Sequence, residues 1–111
     1  MAATGELDLD KLAYAVGRHE TGNCTIPGSY GVMYNNCVGL KNGSIAPCEK
    51  IGMNRMCIYD TPEQSYEAFK KVWSSPRGYG NRFPTLAMAQ AYSGNDRGTT
   101  WLENVTLFYN Q

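Results

Sequence analysis

Glu20 is the first residue whose type and position suggest chemistry. It lies in "AYAVGRHETGNC", residues 13–24, close to where an amphipathic helical pattern stops. Leu9, Leu12, Ala13 and Val16 recur at helical spacing, Asp8 or Asp10 can cap the start, and Gly22 supplies a stop. A helix is therefore expected over residues 8–21. Leu12, Val16 and Glu20 follow at i, i+4 and i+8, so Glu20 shares the buried face. The end of a helix carries partial negative charge, and burial also disfavours an ionised carboxylate. Both effects raise a carboxyl pKa. A carboxyl that keeps its proton near neutral pH can act as a general acid. The same spacing also suits a half-exposed structural glutamate paired with Lys11 or Arg18, and periodicity alone leaves both readings open.

The other reactive side chains are few. Cys24, Cys37, Cys48 and Cys57 fall within one short stretch, with no CxxC pair. An even count without metal spacing favours disulfides over zinc. Three pairings exist, and Cys24–Cys37 with Cys48–Cys57 is the expected one. Oxidised cysteines place the protein outside the cytosol. His19 is the only histidine and has no HExxH partner, so it is expected to be structural, and neither a metal nor a cofactor is expected. A Cys24–His19 thiol nucleophile would need an unpaired cysteine. Asn23, Asn42 and Asn104 begin Asn-x-Ser/Thr sequons, which matter only in a eukaryotic secretory pathway.

Composition narrows the classes. Ten basic and ten acidic residues cancel, so phosphate-driven nucleic-acid binding is not expected. No apolar run approaches the roughly 18 residues needed to cross a membrane. At 111 residues and 42% hydrophobic, the chain suits one domain with a modest core. The opening "MAATGELDLDKL" is acidic and poor in apolar residues, unlike a secretory leader, and residues 1–7 are expected to be a flexible N-terminus.

The elements that must position Glu20 follow. Residues 23–58 are rich in Gly, Asn and Pro and read as irregular structure with short strands. Asn42-Gly43 in "CVGLKNGSIA" is a hairpin signal, and "MNRMCIY" could be another short strand. "TPEQSYEAFKKVW" opens a clear helix, with Thr61 as cap, Pro62 at the first position and Gln64 closing a capping box. A further helix is expected over residues 85–93, stopped by Gly94. The last is expected to start at the Thr100–Glu103 capping box and to carry Trp101, Val105 and Phe108 inward. This order makes a two-lobed α+β domain, mainly helical with a small cystine-rich lobe, and the lobe junction is a natural cleft.

Several segments are similar to known ones. "HETG", residues 19–22, resembles the Glu-Ser-Gly or Glu-Thr-Gly signature of lysozyme-like peptidoglycan-cleaving enzymes. "YGVMYNN", residues 30–36, resembles the Gly-Leu-Met-Gln segment of lytic transglycosylases, with Tyr34 where those enzymes carry Gln. "NNCVGLK", residues 35–41, and "YDTPEQSYEAF", residues 59–69, are similar to segments of bacterial glucosaminidases, with Cys37 replacing Leu in the first. "AQAYSGN", residues 89–95, resembles the Ala-Ala-Tyr-Asn-Ala-Gly motif of transglycosylases, with Ser93 in place of Asn. The order of these segments spans residues 13–109.

The resemblance implies a lysozyme-like fold and cleavage of the MurNAc–GlcNAc backbone of peptidoglycan, with Glu20 as the acid. It implies a monomer that is secreted, periplasmic or delivered to the cell wall. Glycoside hydrolysis usually takes two carboxylates. Glu49 is the foremost candidate for the second, ahead of Asp60, which suits a helix cap, and Asp96, which suits a turn. Lytic transglycosylases need no second carboxylate, because one Glu acts first as acid and then as base. Tyr34, Asn36, Tyr79, Gln90 and Tyr92 are the candidate sugar contacts, since pyranose faces stack on rings and acetamides want amide partners. Core packing for Tyr92 and a plain turn at Tyr79 are the alternatives. Other readings are a glucosaminidase on the same polymer, a glycan-binding module without catalysis, and a disulfide-stapled interaction protein.

Overall fold

A computed structural model of the chain describes residues 7–43, 47–75, 79–93 and 98–111. Helix α1, Leu9–Thr21, starts at Asp8, whose Oδ1 accepts the Lys11 N–H, and ends at Gly22 with φ 59°. That left-handed conformation lets the Gly22 N–H reach back to the Arg18 carbonyl and closes the helix. Leu12, Ala13 and Val16 are buried on one side, as their spacing requires. Leu7 packs against the core, so the flexible N-terminus expected over 1–7 does not extend to it; residues 1–6 lie outside the described residues.

Helix α2, Tyr30–Met33, is a single capped turn that the sequence pattern did not suggest; Ser29 Oγ accepts the Val32 N–H. Helix α3, Pro62–Ser74, begins at Thr61 as expected. Gln64 reaches one residue beyond the expected box and accepts the Asp60 N–H at 2.8 Å. Helix α4, Leu86–Ser93, follows Thr85, whose Oγ1 accepts the Met88 N–H. Its expected stop at Gly94 lies outside the described residues. Helix α5, Gly98–Tyr109, starts two residues before the expected cap. Thr100 is therefore inside the helix. Gly98 packs tightly on α4: a Cβ there would stand 2.6 Å from the Gln90 Cγ.

The cystine-rich lobe is less regular than expected. Among the described residues, strand pairing is reduced to two isolated antiparallel bridges, Lys41–Met56 and Ile51–Cys57. "MNRMCIY" holds a 3₁₀ turn, Met53–Arg55, because Asn54 and Arg55 have φ of 55° and 63°, which no strand admits. The Asn42-Gly43 turn leads into 44–46, outside the described residues, and Lys41 on its near side pairs with Met56 instead of locally. The disulfides are Cys24–Cys37 and Cys48–Cys57. A thiol nucleophile at Cys24 is thereby excluded.

Helix α5 packs against α1 and α4, and α1 also packs against α3. Between them lies an aromatic core. Phe69 and Trp73 stack at 5.2 Å, and Tyr92 lies 5.2 Å from Trp101. Trp73 and Trp101 are essentially fully buried. Each removes about 150–250 Å² from water, which is about 4–6 kcal/mol of transfer free energy as an upper bound. In the loop lobe, buried polar groups add to the two disulfides. Asn36 is fully buried, donates to the Leu40 and Cys57 carbonyls and accepts the Leu40 N–H. Thr21 Oγ1 donates to the Cys37 carbonyl at 2.8 Å and accepts the Cys24 N–H. The end of α1 is thus tied directly to the loop that faces it.

Candidate active site

Glu20 occupies the next-to-last position of α1, on the side of Leu12 and Val16. It lines a cleft of about 470 Å³ between the end of α1, the 39–41 segment, the end of α4 and the start of α5. That volume lies within the range of small-ligand pockets, about 300–1,000 Å³. Trp101 donates its indole N–H to Glu20 Oε2 at 3.0 Å. Burial is the largest influence on the Glu20 carboxyl and pushes its pKa up to about 6. The Trp101 hydrogen bond and the charge of Lys41 oppose that shift without cancelling it. Near pH 6 the group is therefore half protonated.

Gly39 keeps the other carboxyl oxygen open. Its φ is 74°, and a Cβ there would sit 3.4 Å from both Glu20 Cδ and Oε1. A side chain at this position would be strained and would also cover the carboxyl. With Oε2 held by Trp101, Oε1 is the carboxyl oxygen with no hydrogen-bond partner among the described residues.

Tyr92 forms part of the wall. Its hydroxyl donates to the Val38 carbonyl at 2.6 Å, and burial, reinforced by the charge of Glu20, holds its pKa well above the ordinary phenol range. It stays a neutral O–H donor. His19, expected to be structural, lines the same cleft. Helix α5 crosses the end of α1, so Trp101 meets Glu20 while Asn104, one turn later, meets His19 Nδ1 at 3.3 Å. Burial lowers the His19 pKa, which favours the neutral ring.

The remaining candidates lie elsewhere. Asn36 is a satisfied core residue and has no free amide to offer a sugar. Tyr34 stacks on Tyr30 and accepts the Met53 N–H. Tyr79 stacks on Trp73 with ring centres 4.2 Å apart, so it belongs to the aromatic core. Gln90 is exposed on α4 beside Gly98, outside the lining of the cleft. Glu49 does not join Glu20. It lines a separate groove of about 1090 Å³, together with Asp60, Glu63 and Glu67. Asp96 lies outside the described residues. Glu20 is the only carboxylate among the described residues that line its cleft.

Trp101, Lys41, Ser93 and Thr100 complete the cleft lining, and sequence reasoning did not name them as site residues. One signal for Trp101 was available: a buried indole N–H needs an acceptor. A glutamate on the facing helix is a suitable one. Compared with known proteins, the chain matches no family model, no curated protein and no solved structure.

Proposed function

We propose that the protein is a lysozyme-like enzyme that cleaves the β-1,4 glycosidic backbone of peptidoglycan, with Glu20 as the general acid, by a lytic transglycosylase route. The observation that supports this most is one shielded carboxyl, with pKa about 6, at the wall of an open cleft that no other described carboxylate lines. Inverting and retaining hydrolases place a second carboxylate within about 5–9.5 Å of the first. A one-glutamate route dispenses with it.

In that route Glu20 Oε1–H protonates the glycosidic oxygen as the C1–O bond breaks. The acetamide oxygen of the same sugar closes on C1 and holds the positive charge. The Glu20 carboxylate formed at that moment keeps the Trp101 N–H bond, which stabilises the ionised state. It then takes the proton from the C6 hydroxyl as that oxygen attacks C1 and releases the acetamide. An anhydro sugar forms and Glu20 is protonated again. Tyr92, an uncharged wall donor, adds no competing charge. The two disulfides accord with action outside the cytosol, at the cell wall.

The test is mass spectrometry of purified peptidoglycan after incubation with wild type and with Glu20→Gln. Anhydro-muropeptides from wild type alone are the expected result. Reducing ends from wild type alone would replace the route by hydrolysis. Intact glycan with both proteins would overturn the enzymatic reading.

A further inference from the structure

Lys41 and Ser93 line the Glu20 cleft, yet proton transfer uses neither. Among the described residues, the Lys41 ammonium makes no ion pair and no hydrogen bond. Lys41 is exposed, and its backbone is fixed at the cleft: Lys41 bridges Met56, and the flanking Asn42 N–H bonds the Arg55 carbonyl. Its charge reaches the cleft, since it favours ionised Glu20 against the effect of burial. Ser93 Oγ is buried and, among the described residues, has no hydrogen-bond partner. A buried hydroxyl left unpaired is costly, and a ligand that accepts from it relieves that cost. When Glu20 carries its proton, the described lining holds one full positive charge and no negative one. It also holds an O–H donor without an acceptor.

We infer that the cleft recognises a carboxylate carried by the glycan strand, with the Lys41 ammonium and the Ser93 hydroxyl as its two protein donors. The inference rests on the glycan-cleaving reading of Glu20 and names the form of substrate it takes. A neutral chain such as chitin lacks this group. Peptidoglycan offers it from two sources. One is the lactyl ether of MurNAc, which becomes a free carboxylate only after an amide hydrolysis has removed the stem peptide. The other is a carboxylate of the stem peptide itself. If the first source is used, an amide-cleaving reaction must supply the substrate.

Binding is measured on Glu20→Gln, which is uncharged like protonated Glu20 and does not consume the strand, and on the same protein with Lys41→Gln added. Three soluble strands serve as probes: peptide-bearing, peptide-stripped, and stripped with the lactyl carboxyl reduced to an alcohol. Glu20→Gln is expected to bind a carboxylate-bearing strand about tenfold tighter than the reduced strand. Adding Lys41→Gln should remove that preference without weakening the reduced strand. Ser93→Ala should lose about threefold in the same direction. Preference for the stripped strand identifies the lactyl source, and preference for the peptide-bearing strand identifies the stem. Equal binding of all three strands, unchanged by Lys41→Gln, would overturn this inference and leave the proposed function standing. No binding of any strand would overturn both.

Discussion

The cleft around Glu20 encloses about 470 Å³ and is lined by one described carboxylate, whereas the groove along α3 encloses about 1090 Å³ and is lined by Glu49, Asp60, Glu63 and Glu67. The larger groove holds more charge but keeps it in water. Lys50 and Asp60 meet at 3.8 Å with both side chains exposed, and Lys70 meets Glu67 at 2.8 Å one helical turn away. Exposed pairs of this kind contribute about 0–1 kcal/mol. Glu20 is shielded, forms no salt bridge among the described residues, and has its pKa raised by burial. The difference is one of solvation: the groove leaves its acids in water, whereas the cleft desolvates one carboxyl beside open space, the condition a general acid requires.

Removing the proton donor should have the largest effect. Glu20→Gln is expected to reduce turnover of peptidoglycan by roughly 10²- to 10⁴-fold, the usual contribution of a general acid, in a muropeptide release assay. Next comes the frame that carries the cleft wall. Asn36→Leu keeps volume but orphans the Leu40 N–H and the Cys57 carbonyl, while the Leu40 carbonyl keeps the Cys57 N–H. A loss of about 3 kcal/mol is expected, read as a lower urea midpoint. Gly39 and Lys41 flank Leu40, so turnover should fall with it.

Glu20→Gln should also stabilise the protein at neutral pH. The folded-state pKa is raised from 4.5 to about 6, so the folded state binds the proton more tightly than the unfolded chain. That contribution is fully present below about pH 4.5 and is lost as pH rises through about 6. The 1.5-unit shift corresponds to about 2 kcal/mol. Denaturation of wild type and variant at pH 4 and pH 7 should show the variant gaining that much on wild type at the higher pH.

Trp101→Phe should act in a smaller and directional way. The indole bond favours ionised Glu20, so its removal should move the alkaline limb of the kcat/KM profile upward, by about one pH unit or about 1.4 kcal/mol. A downward move would contradict the assigned role of the bond. The smallest effect belongs to Glu49→Gln, expected to leave turnover within about twofold because it lines the other groove. A loss near that of Glu20→Gln would reinstate a second carboxylate.

The local sequence determined much of what surrounds Glu20. Asp8, Gly22 and Thr61 terminate helices where their backbone and side-chain chemistry requires, and the Leu12–Val16–Glu20 spacing puts the carboxyl on the core face. Short-range rules suffice there because the partners lie within a turn or two. They failed where the partner is distant. Asn36 has the residue type of a sugar contact, and only the approach of Leu40 and Cys57 makes it a core hub. Tyr79 has the type of a platform, and Trp73 claims it. Glu49 and Glu20 are equally acidic in sequence, but the packing of α5 over the end of α1 shields only Glu20. Burial depends on which elements pack together, and no spacing along one element encodes that. The periodicity of α1 placed the acid at the edge of the core; Trp101, Lys41 and Ser93 reached it only through the fold.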